Sequence, residues 1–243
     1  MKINKSLLFA SLAILTPSSV GAAITYTPSE PTTNILLDQF HTAGTTAGNG
    51  RVATNIGARG SFFSLDTNAL TEMATAQGST TAPGILAEIQ NITIQLNNIN
   101  NLSATSVDVI FFEGTFNQDF SGSDVTAANF VTDSGINVLA NENHTIPGGG
   151  ATGDFLTVNL DTPFTVNSSD DLGVFFIANG GNIQHQEGQN AGGGRLAFTG
   201  TTIIGPSSRD LNYLIGGEVV PEPSSLMMIG IAGLGLGFFR RRR

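Results

Sequence analysis

The side chains that could carry nucleophilic chemistry are few, because the chain has three histidines and no cysteine. The histidines are His41, His144 and His185, and each lies in a polar stretch typical of an exposed loop. A Ser-His-Asp site needs a serine and a carboxylate that the fold places beside one histidine. No Gly-x-Ser-x-Gly turn marks such a serine. The sequence therefore predicts no catalytic residue, although a triad assembled through space stays open.

Metal ligands are equally sparse. His185 and Glu187 offer two ligand types close together, but a zinc site needs three or four, and no further ligands are evident nearby. Calcium prefers oxygen ligands on loops, and loop aspartates are plentiful. Seven lie in or near turn-rich stretches: Asp119, Asp124, Asp133, Asp154, Asp161, Asp170 and Asp171. No EF-hand loop is present, so no cofactor is predicted, the metal ligands stay unknown, and a structural calcium ion is left open.

Polysaccharide chemistry would need either two catalytic carboxylates or exposed aromatic rings. Asp170 and Asp171 are adjacent, so on a strand they would face opposite sides of the sheet. They are better interpreted as the end of a turn, and the separation of any other pair cannot be derived from the sequence. Sugar-stacking rings are scarce, because the chain has no tryptophan and only two tyrosines, Tyr26 and Tyr213. A secreted polysaccharide hydrolase is thus an alternative and not the favoured interpretation.

The elements that must position these side chains are predicted to be strands. Short apolar runs with alternation, separated by turn residues, are typical of a sandwich or barrel. Eight runs qualify: Asn34–Phe40, Ser61–Leu65, Glu88–Leu96, Ser106–Glu113, Phe155–Leu160, Leu172–Ala178, Arg195–Thr199 and Leu211–Ile215. Leu172–Ala178 is almost continuously apolar, which predicts a central buried strand. The sequence therefore predicts an all-β sandwich of about eight strands.

Two short helices and one notable loop complete the prediction. Asp66 or Thr67 could cap a helix over Asn68–Ala76, and Ser123 could cap a helix over residues 124–130. Residues 44–50 contain only glycine, threonine, alanine and asparagine, which indicates a loop.

Net charge excludes some partners. All 19 acidic residues lie between Glu30 and Glu222, and only four arginines and no lysine lie among them, so this stretch has a formal charge of −15. Binding to nucleic acid depends on positive charge that releases counterions, so no nucleic-acid partner is expected. The absence of cysteine excludes disulfides, so the core must be stable without them.

The C-terminal segment has three parts in a fixed order. Pro221, Glu222 and Pro223 come first, an uncharged apolar stretch over residues 224–239 follows, and the chain ends with Arg240, Arg241, Arg242 and Arg243. The apolar stretch predicts a short transmembrane helix of about 24 Å, somewhat less than a bilayer core of about 30 Å. The arginines would stay on the cytoplasmic side. The segment therefore predicts a marginal membrane anchor that could be temporary.

The N-terminus predicts export independently. Lys2 and Lys5 provide positive charge, Leu7 to Leu15 form an apolar core, and small residues follow, with cleavage after Ala22 or Ala23. We therefore expect a signal peptide at residues 1–23, a sandwich domain at 24–219 and a sorting segment at 220–243.

Taken together, the C-terminal features resemble the PEP-CTERM sorting signal of bacterial envelope proteins. The resemblance implies recognition of Pro221, Glu222 and Pro223 by exosortase, a membrane protease-transpeptidase, in a Gram-negative bacterium that makes extracellular polysaccharide. Four runs also resemble jelly-roll domains found beside such signals: Ser61–Leu65, Ile89–Leu96, Thr162–Val166 and Leu172–Ala178. Such domains are similar to carbohydrate-binding and adhesion modules.

The functional prediction follows from these features. We expect a non-enzymatic protein that crosses the inner membrane and reaches the cell surface or the extracellular space. Its role would be structural or adhesive, with exopolysaccharide as a candidate partner. Two alternatives stay open: the secreted hydrolase, and a periplasm-facing protein that keeps its C-terminal helix as a permanent anchor.

Overall fold

The structure is a computed structural model, and it describes residues 24–40, 46–53, 59–76, 85–97, 102–114, 131–133, 135–188, 195–199, 202–207 and 210–220. Fourteen strands and one helix, α1 (Thr67–Ala76), lie in these ranges. The strands are β1 (Ile24–Thr27), β2 (Ile35–Asp38), β3 (Thr46–Ala53), β4 (Arg59–Phe63), β5 (Leu86–Gln95), β6 (Ser106–Gly114), β7 (Ile136–Thr145), β8 (Phe155–Asn167), β9 (Leu172–Asn179), β10 (Asn182–Gly188), β11 (Arg195–Thr199), β12 (Thr202–Ser207), β13 (Asp210–Leu211) and β14 (Tyr213–Val219).

Two antiparallel sheets dominate the architecture. The first sheet has the order β1-β8-β5-β14-β2, and the second has the order β12-β11-β4-β9-β6-β7. A small third sheet, β13-β10-β3, is joined to the end of β5 by a bridge between Leu96 and His185. Because the apolar side chains between the two large sheets form one core, the predicted all-β sandwich is confirmed.

All eight predicted strands have counterparts, but the predicted number was too low. Strands β1, β3, β7, β10 and β12 were not predicted. Residues 46–50 belong to β3, so the loop prediction for residues 44–50 was wrong over that part. Half of β3 is alanine and glycine, and the strand pairs with β10 through backbone hydrogen bonds that need no apolar alternation. Patterns based on hydrophobicity therefore miss it.

The centre of the second sheet is as apolar as its sequence predicts. β9 lies between β4 and β6, and every residue from Leu172 to Ala178 is buried. On β6, Val107, Val109 and Phe111 belong to the core between the sheets, as their spacing predicts. The alternation in β6 therefore predicts correctly which of its side chains face the core.

Helix α1 begins where the sequence places its cap. Asp66 Oδ1 accepts hydrogen bonds from the backbone N–H groups of Asn68 (2.8 Å) and Ala69 (3.3 Å). Leu70 and Ala74, one turn apart, are buried against the core. Asp66 is therefore the N-cap, and Thr67 is the first helical residue. The second predicted helix, over residues 124–130, lies outside the described residues.

The register of the strands gives the sandwich two distinct ends. At the tail end, which we define by Val219 and the turn 168–171, Val219 pairs with Ala87 and the N–H of Val220 donates to Leu86 O at 2.9 Å. At the far end, which we define by residues 102–105 and 146–154, β6 begins and the chain passes from β7 to β8. β14 therefore ends, at Val219, at the opposite end of the sandwich from these residues.

Candidate functional site

The histidines do not lie where the sequence suggested. His144 and His185 are buried, with 4% and 0% of their surfaces exposed, so the expectation of exposed loop histidines was wrong for both. Each lies on a strand, His144 on β7 and His185 on β10. His41 lies outside the described residues. The error arose because both strands are rich in Asn, Gln and Glu, so neither was recognised as a strand.

The loop aspartates act mainly as local caps. Asp133 Oδ1 accepts from Gly135 N, Asp154 Oδ2 from Ala151 N, and Asp170 Oδ2 from Asn167 N, all at 2.7 Å. Such bonds satisfy backbone donors in turns. Asp119 and Asp124 lie outside the described residues. Of the predicted calcium ligands, the structure brings only Asp161 into a group of possible metal ligands in the part of the chain that it describes.

That group lies at one side of the sandwich and consists of Glu142, His144 and Asp161, which we call the edge cluster. Glu142 and His144 are two positions apart on β7, so their side chains share the face directed towards the interior. β7 is the outer strand of the second sheet and contacts β8 of the first sheet. The edge cluster therefore bridges the two sheets.

An irregularity in β8 produces this contact. β8 pairs with β5 through Asn159 opposite Asn91 and Phe164 opposite Ile89, so residues 160–163 face a single residue of β5. The chain bulges there, which releases backbone donors from the ladder. Glu142 accepts two of them: Oε2 from Asp161 N at 2.8 Å, and Oε1 from Thr162 N at 3.0 Å. The carboxylate thus accepts hydrogen bonds from backbone donors that the bulge leaves outside the strand ladder.

His144 completes the edge cluster. Its side chain is 3% exposed, and its Nε2 lies 3.1 Å from Oε2 of Glu142. This nitrogen is buried and has no hydrogen-bond partner. Had residues 136–145 been recognised as a strand, the i, i+2 spacing would have placed Glu142 and His144 together. Asp161 joins the edge cluster because of the bulge in β8, and no pattern in the sequence predicts that bulge.

An open cleft beside α1 is the second place where carboxylates converge. Its lining includes Glu30, Asp38 and Asp66. Two of these carboxylates bind backbone groups: Asp38 Oδ1 accepts from Phe40 N at 2.8 Å, and Asp66 caps α1. Two of the three acids that line the cleft, Asp38 and Asp66, therefore already satisfy backbone donors of the fold.

The two tyrosines, considered above as sugar-stacking rings, both make contacts within the domain. Tyr213 is 1% exposed and packs edge-on against Phe63. Tyr26 donates its hydroxyl to Pro147 O at 2.8 Å, and its ring covers Gly150, where an added Cβ would lie 2.7 Å from the ring. Burial, and secondly the nearby Asp154 carboxylate, raise the pKa of Tyr26 above its ordinary value of 10.0. Both rings therefore contribute to packing.

The C-terminal junction is the remaining sequence feature. β14 pairs with β2 over residues 214–216 and with β5 as far as Val219, where it ends two positions before Pro221. Residues 219–243 match a family model described as the PEP-CTERM protein-sorting motif. The chain carries a PEP-CTERM sorting signal. No curated protein matches the chain, and no solved structure matches it either.

The PEP-CTERM signal defines the route of the protein. Exosortase, a membrane sorting enzyme, recognises such signals, and the chain is an exported protein directed through the membrane to the cell envelope or surface. The sorting residues Pro221, Glu222, Pro223 and Arg240 to Arg243 lie outside the described residues, as do the predicted helix over 224–239 and the signal peptide with Ala22 and Ala23. Within the described ranges, no helix is both long and apolar enough to cross a membrane.

Proposed function

We propose that this PEP-CTERM protein is a non-enzymatic structural or adhesive component of the surface or extracellular matrix of a Gram-negative bacterium, with exopolysaccharide as its candidate partner. Exosortase processes it near Pro221, Glu222 and Pro223. The sandwich domain, which we call the cargo, carries the function at the cell surface, and the C-terminal helix is a temporary membrane anchor.

The junction between cargo and signal is the observation that carries this proposal. The sorting motif starts at Val219, the last residue of a strand that is hydrogen-bonded on both sides. A load applied through the tail would act along β14, first on its ladder with β5 and, from Gly216 inwards, on its ladder with β2 as well. Such an attachment suits a domain held at the cell surface while its far end is free to contact other molecules.

The state of the acidic side chains supports a non-enzymatic role. Asp38, Asp66 and Asp154 each accept backbone hydrogen bonds in caps or turns. Carboxylates that satisfy backbone donors stabilise the fold, and using one as a general acid or nucleophile would disturb that bond. The acidic chain, with its formal charge of −15 between Glu30 and Glu222, also suits a soluble domain in a hydrated matrix.

Sorting is tested by localisation. A chain that ends at Val219 should be secreted into the periplasm and lost from the surface fraction, because it lacks the signal. A matched variant with Pro221→Ala and Pro223→Ala keeps the helix and the arginines, and it should accumulate unprocessed in the inner membrane. Surface retention of both altered chains at the parent's level would contradict the proposed route.

Mass spectrometry of the surface form distinguishes a temporary from a permanent anchor. We expect a C-terminus near residues 221–223 and no peptide containing Arg243. An intact Arg243 in the mature protein would favour the permanently anchored alternative.

The role of the domain is tested on the processed form. A deletion strain should lose matrix cohesion or surface attachment, and a glycan array should show whether polysaccharide is the partner. Release of new reducing ends from matrix polysaccharide by the purified protein would instead favour the hydrolase.

A further inference from the structure

The edge cluster has a composition that a purely structural contact between the sheets does not require. One nitrogen and two carboxylates, from His144, Glu142 and Asp161, present atoms that all lie within 4.8 Å of one another. These three groups come from two strands in different sheets. An arrangement of this kind brings together ligand types that bind first-row divalent metal ions.

The buried histidine is the decisive observation. A side chain that is 97% buried normally satisfies its ring nitrogens, because a polar atom removed from water without a partner is destabilising. Nε2 of His144 has no hydrogen-bond partner, yet it faces the Glu142 carboxylate at 3.1 Å. Two atoms bound to the same tetrahedral zinc ion lie about 3.3 Å apart. The separation thus fits two ligands of one ion, and Nε2 makes no hydrogen bond that would otherwise account for it.

We propose that Glu142, His144 and Asp161 bind one divalent transition-metal ion of the Zn²⁺ type, which links β7 to β8 and so fastens the two sheets at this edge. Glu142 Oε2 keeps a lone pair after accepting from Asp161 N, since a carboxylate oxygen has two. Asp161 is exposed, so the ion can enter from solvent and keep a water as its fourth ligand.

Ligand chemistry selects the metal. Calcium takes six to eight oxygen ligands, whereas this site offers a buried imidazole nitrogen and two carboxylates. Imidazole suits zinc and its neighbours in the first transition row. With a neutral histidine, the two carboxylates carry a charge that a divalent ion neutralises. The calcium ion left open by the sequence is therefore not the ion that this cluster favours.

Zinc titration of the full-length chain tests the proposal. The protein, purified in mild detergent and stripped with a chelator, should bind one Zn²⁺ at the edge cluster. Asp161→Asn and His144→Gln should each weaken that binding by about tenfold or more, because each removes a ligand. Asp171→Asn changes another exposed aspartate in the same way, outside the cluster, and should bind as the parent does.

A spectroscopic measurement identifies the ligand directly. The chain has three histidines, so long-range ¹H–¹⁵N spectra can assign each ring, and Zn²⁺ should shift Nε2 of His144. Adding Ca²⁺ at the same concentration should leave that resonance in place. If His144→Gln fails to fold, Asp161→Asn and the His144 spectrum of the parent decide the question.

Three results would overturn the proposal. The first is the absence of stoichiometric Zn²⁺ binding in the parent. The second is an equal loss of affinity in Asp161→Asn and Asp171→Asn, which would indicate diffuse binding to an acidic surface. The third is an unchanged His144 resonance on saturation, which would leave the edge cluster as a hydrogen-bonded contact between the sheets.

Discussion

The centre and the edge of the second sheet are stabilised by different interactions. β9, at the centre, is buried over Leu172–Ala178, and both of its faces are apolar. β7, at the edge, directs Glu142 and His144 inwards, and there the backbone of the neighbouring sheet is bound by a carboxylate. Burial of apolar area holds the centre, whereas satisfaction of polar groups holds the edge. The first kind of stabilisation is visible in a sequence, and the second depends on geometry.

The centre should be the most sensitive region. Phe175 is fully buried on β9 and stacks on Phe112 with ring centroids 5.5 Å apart. Phe175→Ala removes this contact and leaves a cavity, so it should lower the free energy of unfolding by about 3–5 kcal/mol. Denaturant unfolding measures the loss, and Phe175→Leu, which keeps more of the volume, should lose less. A loss under 1 kcal/mol would show that the centre does not depend on packing.

At the edge, the loss of stability should increase with the number of hydrogen bonds that a Glu142 variant removes. Glu142→Ala leaves the backbone donors of Asp161 and Thr162 without their acceptor and should cost about 1–3 kcal/mol. Glu142→Gln keeps one acceptor oxygen and should cost less than the alanine variant. Both are measured by denaturant unfolding with a chelator present, so that metal binding does not contribute. Equal stability of the parent and both variants would contradict the assigned role of Glu142.

The cap of α1 should have a smaller effect. Asp66→Ala removes the acceptor for the N–H groups of Asn68 and Ala69, which should cost about 1 kcal/mol. Thr67→Ala is the matched control, because Thr67 is the other residue that the sequence allowed as the cap. Thermal unfolding of the two variants compares them, and a larger loss at Thr67 would reassign the N-cap.

The smallest expected effect appears only at alkaline pH. The pKa of Tyr26 is raised, mainly by burial and secondly by Asp154, so folding favours the neutral phenol. Its contribution to stability is complete below about pH 10 and is lost as the pH rises through the folded-state pKa. In Tyr213→Phe, Tyr26 is the one tyrosine left and the chain has no tryptophan, so phenolate absorbance near 295 nm reports on Tyr26 alone. A midpoint at or below 10.0 would contradict the burial of Tyr26.

The comparison of centre and edge also explains which predictions from sequence succeeded. β6 was predicted because its apolar residues alternate, and β9 because its apolar run is almost continuous. The start of α1 was predicted because Asp66 and Thr67, either of which could cap a helix, precede residues 68–76. β7 and β10 were missed because polar residues occupy most of their positions. For the same reason His144 and His185 were expected in exposed loops, although both are buried.

The sequence by itself determined the route of the protein and the class of its fold. A sorting signal is read as a linear order of residues, and strands with an apolar face follow from alternation, so neither needs the tertiary structure. The tertiary structure alone decided how the edge of the sandwich is closed. Glu142 and His144 meet Asp161 only because β8 bulges beside β7, and residues distant along the chain become neighbours only when the two sheets pack.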